Sequence, residues 1–186
     1  MALTESTMLA LGSPAPDFAL PSVISDNIVR LDDFRGTVDA LVVMFICAHC
    51  PYVKHMEAGL AAFGRDYQDK PVGIVAISSN DALTHRDDGP EYLRKQAEQC
   101  GFTFDYLYDE SQEVARAYEA ACTPDLYLFD DEMRLVYRGQ FDSSRPGSGI
   151  PVTGEDLRVA LDAVFAGAPV SEEQRASIGC NIKWKI

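Results

Sequence analysis

The stretch Val42-Val43-Met44-Phe45-Ile46-Cys47-Ala48-His49-Cys50-Pro51-Tyr52 decides how this chain is read. An unbroken apolar run from Leu41 to Ile46 stops at two cysteines separated by Ala48 and His49. Directly after it, Val53, Met56, Leu60, Phe63 and Tyr67 recur three and four apart, the period of one helix face. A buried strand therefore feeds a helix, and the cysteines stand at the junction. The first N–H groups of a helix have no partner within it, and the peptide dipoles add up there, so a thiolate is favoured over a thiol. Only the thiolate attacks a disulfide or a peroxide, and such surroundings lower a cysteine pKa from about 8.5 to roughly 3.5–7.5. The pattern is that of a redox site.

Two other readings compete. Free cysteine behaves as a small core residue, but core packing gives no reason for two cysteines at a strand-to-helix turn with a proline following at once. A metal site built from Cys47, Cys50 and His49 or His55 is the sharper rival, since these are ligands for zinc or copper. A structural zinc site usually draws a second ligand pair from elsewhere. Cys100, Cys122 and Cys180 are the remaining cysteines, and none lies in a second Cys-x-x-Cys. Redox chemistry is the best-supported reading of the segment.

The length of 186 residues, 47% of them hydrophobic, fits a single domain spanning 1–186, with 1–12 as a loose leader and 169–186 as a C-terminal tail. A net charge of −13 without any Lys/Arg block argues against nucleic acid or an anionic membrane as partner. The first residues lack the basic and apolar regions of a secretory signal, and no run approaches 18 apolar residues. Five cysteines with no scaffold-like spacing fit a reducing compartment, so a cytoplasmic location is expected. No glycine-rich phosphate loop is present, so no nucleotide, flavin or other cofactor is expected.

Along the chain, Ala15–Pro21 and Ile28–Leu31 read as a hairpin around Ser25-Asp26-Asn27, followed by a helical turn ending at Gly36. Strand Leu41–Ile46 leads into helix Pro51–Tyr67. Strand Val72–Ile77 exits into the polar Ser78-Ser79-Asn80-Asp81, at the cysteine end of the sheet if the two strands are parallel. Helix Pro90–Cys100, strand Phe104–Tyr108 and a helix capped by Ser111 follow. The strands Leu126–Phe129 and Leu135–Arg138 form an antiparallel hairpin, and a helix opened by Thr153 and Asp156 at capping-box spacing buries Leu157, Leu161 and Phe165. Strands separated by helices join through right-handed crossovers. The expected class is α/β, a mixed central sheet with helices on both faces.

A Cys-x-x-Cys after a central strand, with Thr123-Pro124 later standing ahead of another strand, resembles the thioredoxin superfamily. The long gap between Cys50 and Pro124 resembles the extra helix and strand of its peroxiredoxin-like members. FICAHCPYVKHME, LVYRGQFDSSRPG and SIGCNIKWK, with the opening SPAPDFALP, look like the thioredoxin-like proteins of the alkyl hydroperoxide reductase and thiol-specific antioxidant family. The resemblance covers the chain from about Gly12 onward. It implies a thioredoxin fold with an N-terminal β-hairpin and a peroxiredoxin-like insertion, a cis Thr123–Pro124 bond beside the cysteines, and thiol-disulfide or peroxide chemistry. Protein or small-molecule disulfides or peroxides would be substrates, with a thiol reductant.

The chain departs from the peroxiredoxin pattern Pro-x-x-x-Thr-x-x-Cys. With Cys50 last, Cys47 and Val43 occupy the threonine and proline positions; with Cys47 last, Met44 and Ala40 do. Dithiol exchange is thus the expected reaction, and peroxide reduction with Cys50 as the peroxidatic thiol is the alternative. In the exchange reading Cys47, on the solvent side of the turn, attacks; Cys50 resolves the mixed disulfide. His49 tunes the Cys47 thiolate or is a solvated imidazole. Thr123 and Pro124 present backbone to substrate. Arg138 stabilises the thiolate or is an edge-strand charge. His55 reads as surface, and Cys100 and Cys122 as core. Cys180 reads as part of a packed tail, with a distant resolving cysteine as the alternative.

Overall fold

The computed structural model describes residues 3–186. Its elements begin with β1 (Leu3–Glu5), β2 (Ala19–Pro21) and β3 (Ile28–Arg30), then β4 (Ala40–Phe45), α1 (Pro51–Tyr67) and β5 (Val72–Ser78). Next come α2 (Pro90–Cys100), β6 (Asp105–Tyr108), α3 (Glu113–Ala117), β7 (Cys122–Thr123), β8 (Asp125–Asp130) and β9 (Leu135–Gly139). The chain ends with α4 (Glu155–Phe165) and β10 (Ile178–Asn181). Residues 1 and 2 of the expected leader lie outside the described residues.

The main sheet has the order β6-β5-β4-β8-β9. β4 pairs in parallel with β5, and β5 with β6; β4 pairs with β8 and β8 with β9 in antiparallel fashion. This is the expected mixed sheet. All six residues of β4 are buried, because the strand is central and both its faces are covered. Ala40, Val42 and Met44 pack with Val53, Met56 and Leu60 of α1, Leu93 of α2 and Leu157 and Leu161 of α4. Leu41, Val43 and Phe45 face the other way, against Val114 and Ala115 of α3 and Phe18, Leu20 and Val29 of the N-terminal hairpin. Each large apolar side chain buried this way contributes about 1.5–3 kcal/mol, so the end of β4 is a rigid platform for the turn that follows.

Both chain ends depart from the sequence reading. β1 pairs antiparallel with β10, and β10 with β7, where a loose leader and a tail are expected. Strands of three and four residues carry too little pattern to be seen alone; the partner supplies the stability. Gly179 makes the second pairing possible, since a Cβ there would lie 2.0 Å from the Thr123 carbonyl oxygen.

Two helix starts also differ. α3 has only five residues and opens on Gln112 in a left-handed conformation, although the Ser111 hydroxyl still accepts the Glu113 N–H (3.2 Å). At α4, Thr153 accepts from Glu155 N–H (3.3 Å), but Asp156 accepts from the Gln140 amide. The distant Asp142 carboxylate accepts the N–H groups of Thr153 and Gly154, both at 2.7 Å. A tertiary partner has replaced the local capping box.

Candidate active site

Cys47 follows the apolar end of β4, and Cys50 is the N-cap residue of α1. Both are 0% exposed, which corrects the expectation that Cys47 faces solvent. The half-buried Ala48-His49 turn covers them. Below, the Gln96 amide donates to the Cys47 carbonyl (3.3 Å) and to Glu57 (2.8 Å), and its own oxygen accepts from the Tyr106 hydroxyl (3.1 Å).

The turn is held by a residue the sequence reading did not single out, Asp88, at the end of the 3-10 turn Arg86–Asp88. One oxygen of this buried carboxylate accepts the N–H groups of Ala48 (2.9 Å) and His49 (3.1 Å). The other accepts from the Asn80 amide (2.8 Å) and meets His49 Nδ1. Burial opposes ionisation of Asp88, yet the hydrogen bonds from the His49 ring, Asn80 and the backbone hold its carboxyl below the usual carboxylate range. Asn80 belongs to the polar exit of β5, which the parallel pairing brings to the cysteine end of the sheet. Its own oxygen accepts the Lys183 N–H (2.8 Å), tying the C-terminal segment to the site.

The two sulfurs are hydrogen-bond neighbours, and they ionise unequally. The Cys50 sulfur, burial and the Asp88 carboxylate hold the Cys47 thiol well above its ordinary value; the Thr123 hydroxyl, 3.3 Å away, pulls the other way. Cys50 is drawn below an ordinary thiol, first by Cys47, against burial, then by Cys180, the Val53 N–H and Thr123. The Thr123 carbonyl, 3.2 Å from the Cys50 sulfur, accepts from the thiol and opposes this, but one acceptor is outweighed by several donors. These shifts favour the anion on Cys50 over Cys47, the reverse of the expected ionisation. The largest cause in both is the hydrogen bond between the two sulfurs, and the Asp88 carboxylate beside Cys47 adds to the difference.

Of the other expected residues, Thr123 stands against both cysteines, and its bond to Pro124 is cis. His49 Nδ1 lies 3.9 Å from the Cys47 sulfur, and its ring stacks on His85 with centroids 5.1 Å apart. Arg138 does not join this cluster: it sits on the edge strand β9, where its guanidinium donates to Gln174 (2.7 Å). His55 is half-buried and lines a small pocket with Tyr52, Met56, Pro124, Phe141 and Arg145. Cys100 is half-buried rather than core; burial first and Glu57 second push it to about 11. Cys122 is buried, and burial pushes its thiol up.

Cys180 is packed, as expected of the tail, but it packs against the site: its sulfur lies 2.9 Å from that of Cys50. A potential metal-ligand set also differs from the expected one. Cys47, His49 and Asp88 offer donor atoms within 4.8 Å of one another, with Asp88 in place of Cys50 or His55. Among the described residues, no helix is long and apolar enough to cross a membrane.

The chain is 56% identical to a conserved protein from Geobacillus kaustophilus of known crystal structure; the match covers 100% of this chain and 97% of that one, with a TM-score of 0.96. It is 29% identical over 161 residues to the thiol-disulfide oxidoreductase ResA of Geobacillus thermodenitrificans (strain NG80-2), 87% of this chain and 82% of the relative. The thioredoxin domain of a thiol-disulfide oxidoreductase from Bacteroides vulgatus shares the fold at 22% identity and a TM-score of 0.62, over 81% of this chain and 96% of that one. The thioredoxin-like fold implied by the sequence resemblance is thus present. A model of the AhpC/TSA family matches residues 11–138, more than half of the sequence, and the chain belongs to that family.

Proposed function

We propose that the protein is a thiol-disulfide oxidoreductase that cycles Cys47 and Cys50 between dithiol and disulfide. The observation that carries this reading is the placing of two cysteines at the start of α1, with the Thr123 hydroxyl 3.3 Å from the Cys47 sulfur and the Thr123 carbonyl 3.2 Å from that of Cys50. In the cycle, Cys50 takes the proton of Cys47 as the Cys47 sulfur attacks a substrate disulfide. The departing thiolate carries that proton away. Cys50, again a thiolate, then attacks Cys47 in the mixed disulfide and releases the second substrate thiolate. Two protein electrons reduce one disulfide, and an external dithiol restores them. Since both sulfurs are buried, the Ala48-His49 turn must open for substrate to reach Cys47.

Turnover of a protein disulfide with dithiothreitol as reductant tests the proposal. Loss of at least about 100-fold in both Cys47→Ser and Cys50→Ser is expected, with a mixed disulfide trapped on Cys47 in Cys50→Ser. Undiminished turnover in either variant defeats it.

A second reading, peroxide reduction, is favoured by the downward pull on Cys50. The Cys50 thiolate would take one peroxide oxygen to become a sulfenic acid, and the Cys47 thiol would condense with it, releasing water. Cys47 stands where peroxiredoxins carry threonine, although the Thr123 hydroxyl lies 3.3 Å from its sulfur. Peroxide consumption with a sulfenic acid trapped on Cys50 in Cys47→Ser selects this reading; no consumption leaves dithiol exchange.

A further inference from the structure

Cys50 stands between two sulfurs, not beside one. Cys47 is its hydrogen-bond neighbour in the turn, and the Cys180 sulfur approaches to 2.9 Å. That separation exceeds the roughly 2.05 Å of a disulfide but is closer than sulfurs sit in ordinary non-bonded contact. Both residues are buried, Cys180 at 4% exposure, and the Thr123 carbonyl lies 3.2 Å from the Cys50 sulfur.

The approach is built by the fold. Cys180 is paired in register with Thr123, the residue whose hydroxyl and carbonyl contact Cys47 and Cys50. Its neighbour Gly179 lies so close to the Thr123–Pro124 bond that any side chain would collide with backbone there, at 2.0 Å from the Thr123 oxygen and 2.7 Å from its carbon. The segment is fixed on its other side by the Lys183 N–H donating to Asn80, itself bonded to Asp88. Three elements thus fasten one cysteine against the second cysteine of the Cys-x-x-Cys. Cys122 lies on the neighbouring strand, but its sulfur is directed at the Pro124 carbonyl (3.5 Å).

We propose that Cys180 is a third redox sulfur, which exchanges with the Cys47–Cys50 disulfide to form a Cys50–Cys180 disulfide. In this step the Cys180 sulfur attacks Cys50; the Cys50–Cys180 bond forms and the Cys47–Cys50 bond breaks. Cys47 leaves as a thiolate and takes up the proton given by Cys180, so no electrons enter or leave the protein. The Thr123 hydroxyl, 3.3 Å from the Cys47 sulfur, can donate to it as it leaves. The oxidised protein then holds its disulfide on the β10 strand while Cys47 is again a thiol. A substrate thiol attacking Cys50 would release Cys180, and one attacking Cys47 would not find a disulfide.

The relay rests on the exchange reading above, but the Cys50–Cys180 bond itself does not. The test uses the full-length chain with Cys47→Ser, reduced and then treated with a slight excess of hydroxyethyl disulfide. The Cys50 thiolate takes one half of the reagent as a mixed disulfide; Cys180 displaces it, giving the protein disulfide and two mercaptoethanol molecules. After acid quench and N-ethylmaleimide, the four cysteines that remain of the original five are expected to fall from four adducts to two. Peptide mapping is expected to join Cys50 to Cys180. A persistent hydroxyethyl adduct on Cys50, or a bond to Cys122 instead, overturns the proposal. In the oxidised wild type both the Cys47–Cys50 and Cys50–Cys180 linkages are expected, and in Cys180→Ser only the first. A wild type holding Cys47–Cys50 alone overturns the relay, whereas absence of that bond from Cys180→Ser with Cys50–Cys180 present in Cys47→Ser defeats only the exchange reading.

Discussion

Replacing Gly179 with alanine places a methyl group 2.0 Å from the Thr123 carbonyl oxygen and 2.7 Å from its carbon. Both obstacles are backbone, so no side chain can turn aside. A carbon normally stands about 3.3 Å or more from a carbonyl oxygen, so β10 must withdraw by about 1.3 Å. The register pairs Cys180–Thr123 and Asn181–Cys122 cannot survive that displacement. Two ladder hydrogen bonds at about 1 kcal/mol each, with about 1–3 kcal/mol for overpacking, give a loss of about 3–5 kcal/mol. For a chain of this size that lowers Tm by roughly 6–20 °C. The sulfurs of Cys50 and Cys180, now 2.9 Å apart, would separate beyond 4 Å. Thermal unfolding and disulfide mapping after hydroxyethyl disulfide treatment read the two effects independently. A variant that melts within 2 °C of wild type and forms Cys50–Cys180 in unchanged yield would refute the claim that Gly179 sets this approach.

Asp88→Asn removes the carboxylate that raises the Cys47 thiol, so the pH profile of Cys47 alkylation by iodoacetamide is expected to move to lower pH; a profile that stays in place or moves up sinks the assignment. Asp125 gives a stability signature of its own. Burial raises its carboxyl to about 6 against hydrogen bonds from Ser6, Ala121 and Tyr127. Because the folded value exceeds the unfolded one of about 3.9, the folded state holds the proton more tightly; that contribution is complete below pH about 4 and is lost as pH rises through about 6. About two pH units at about 1.4 kcal/mol each amount to about 3 kcal/mol. Asp125→Asn should therefore gain stability relative to wild type by about that much between pH 4 and pH 7 in urea titrations, and an equal difference at both pH values counts against it.

Much of the sheet was legible in the chain because its elements are set by local pattern. Pro51–Tyr67 and Pro90–Cys100 match the expected helices residue for residue, since each has a proline in its first turn and an apolar face at helical spacing. The apolar run at Leu41 reads as a central strand because no partly exposed strand would be apolar on both faces. The short strands β1, β7 and β10 were not legible: their pairing partners lie far away in sequence, and a few residues have no periodicity to detect.

For the site, the residues alone pointed to Cys47 and Cys50 through their spacing after a strand, and to Thr123-Pro124 through resemblance. Which sulfur carries the charge was decided by tertiary contacts, because ionisation depends on burial and on neighbours within a few ångströms. Asp88, Asn80 and Cys180 stand 30 to 130 positions from Cys50 and share no motif with it. The chain by itself determined a cysteine pair at the end of a buried strand; only the folding of β5, the 3-10 turn and β10 onto that end decided that a carboxylate grips the turn and a third sulfur faces the second. Local sequence fixes elements through short-range periodicity, while electrostatic neighbours are chosen by packing among segments distant in the chain.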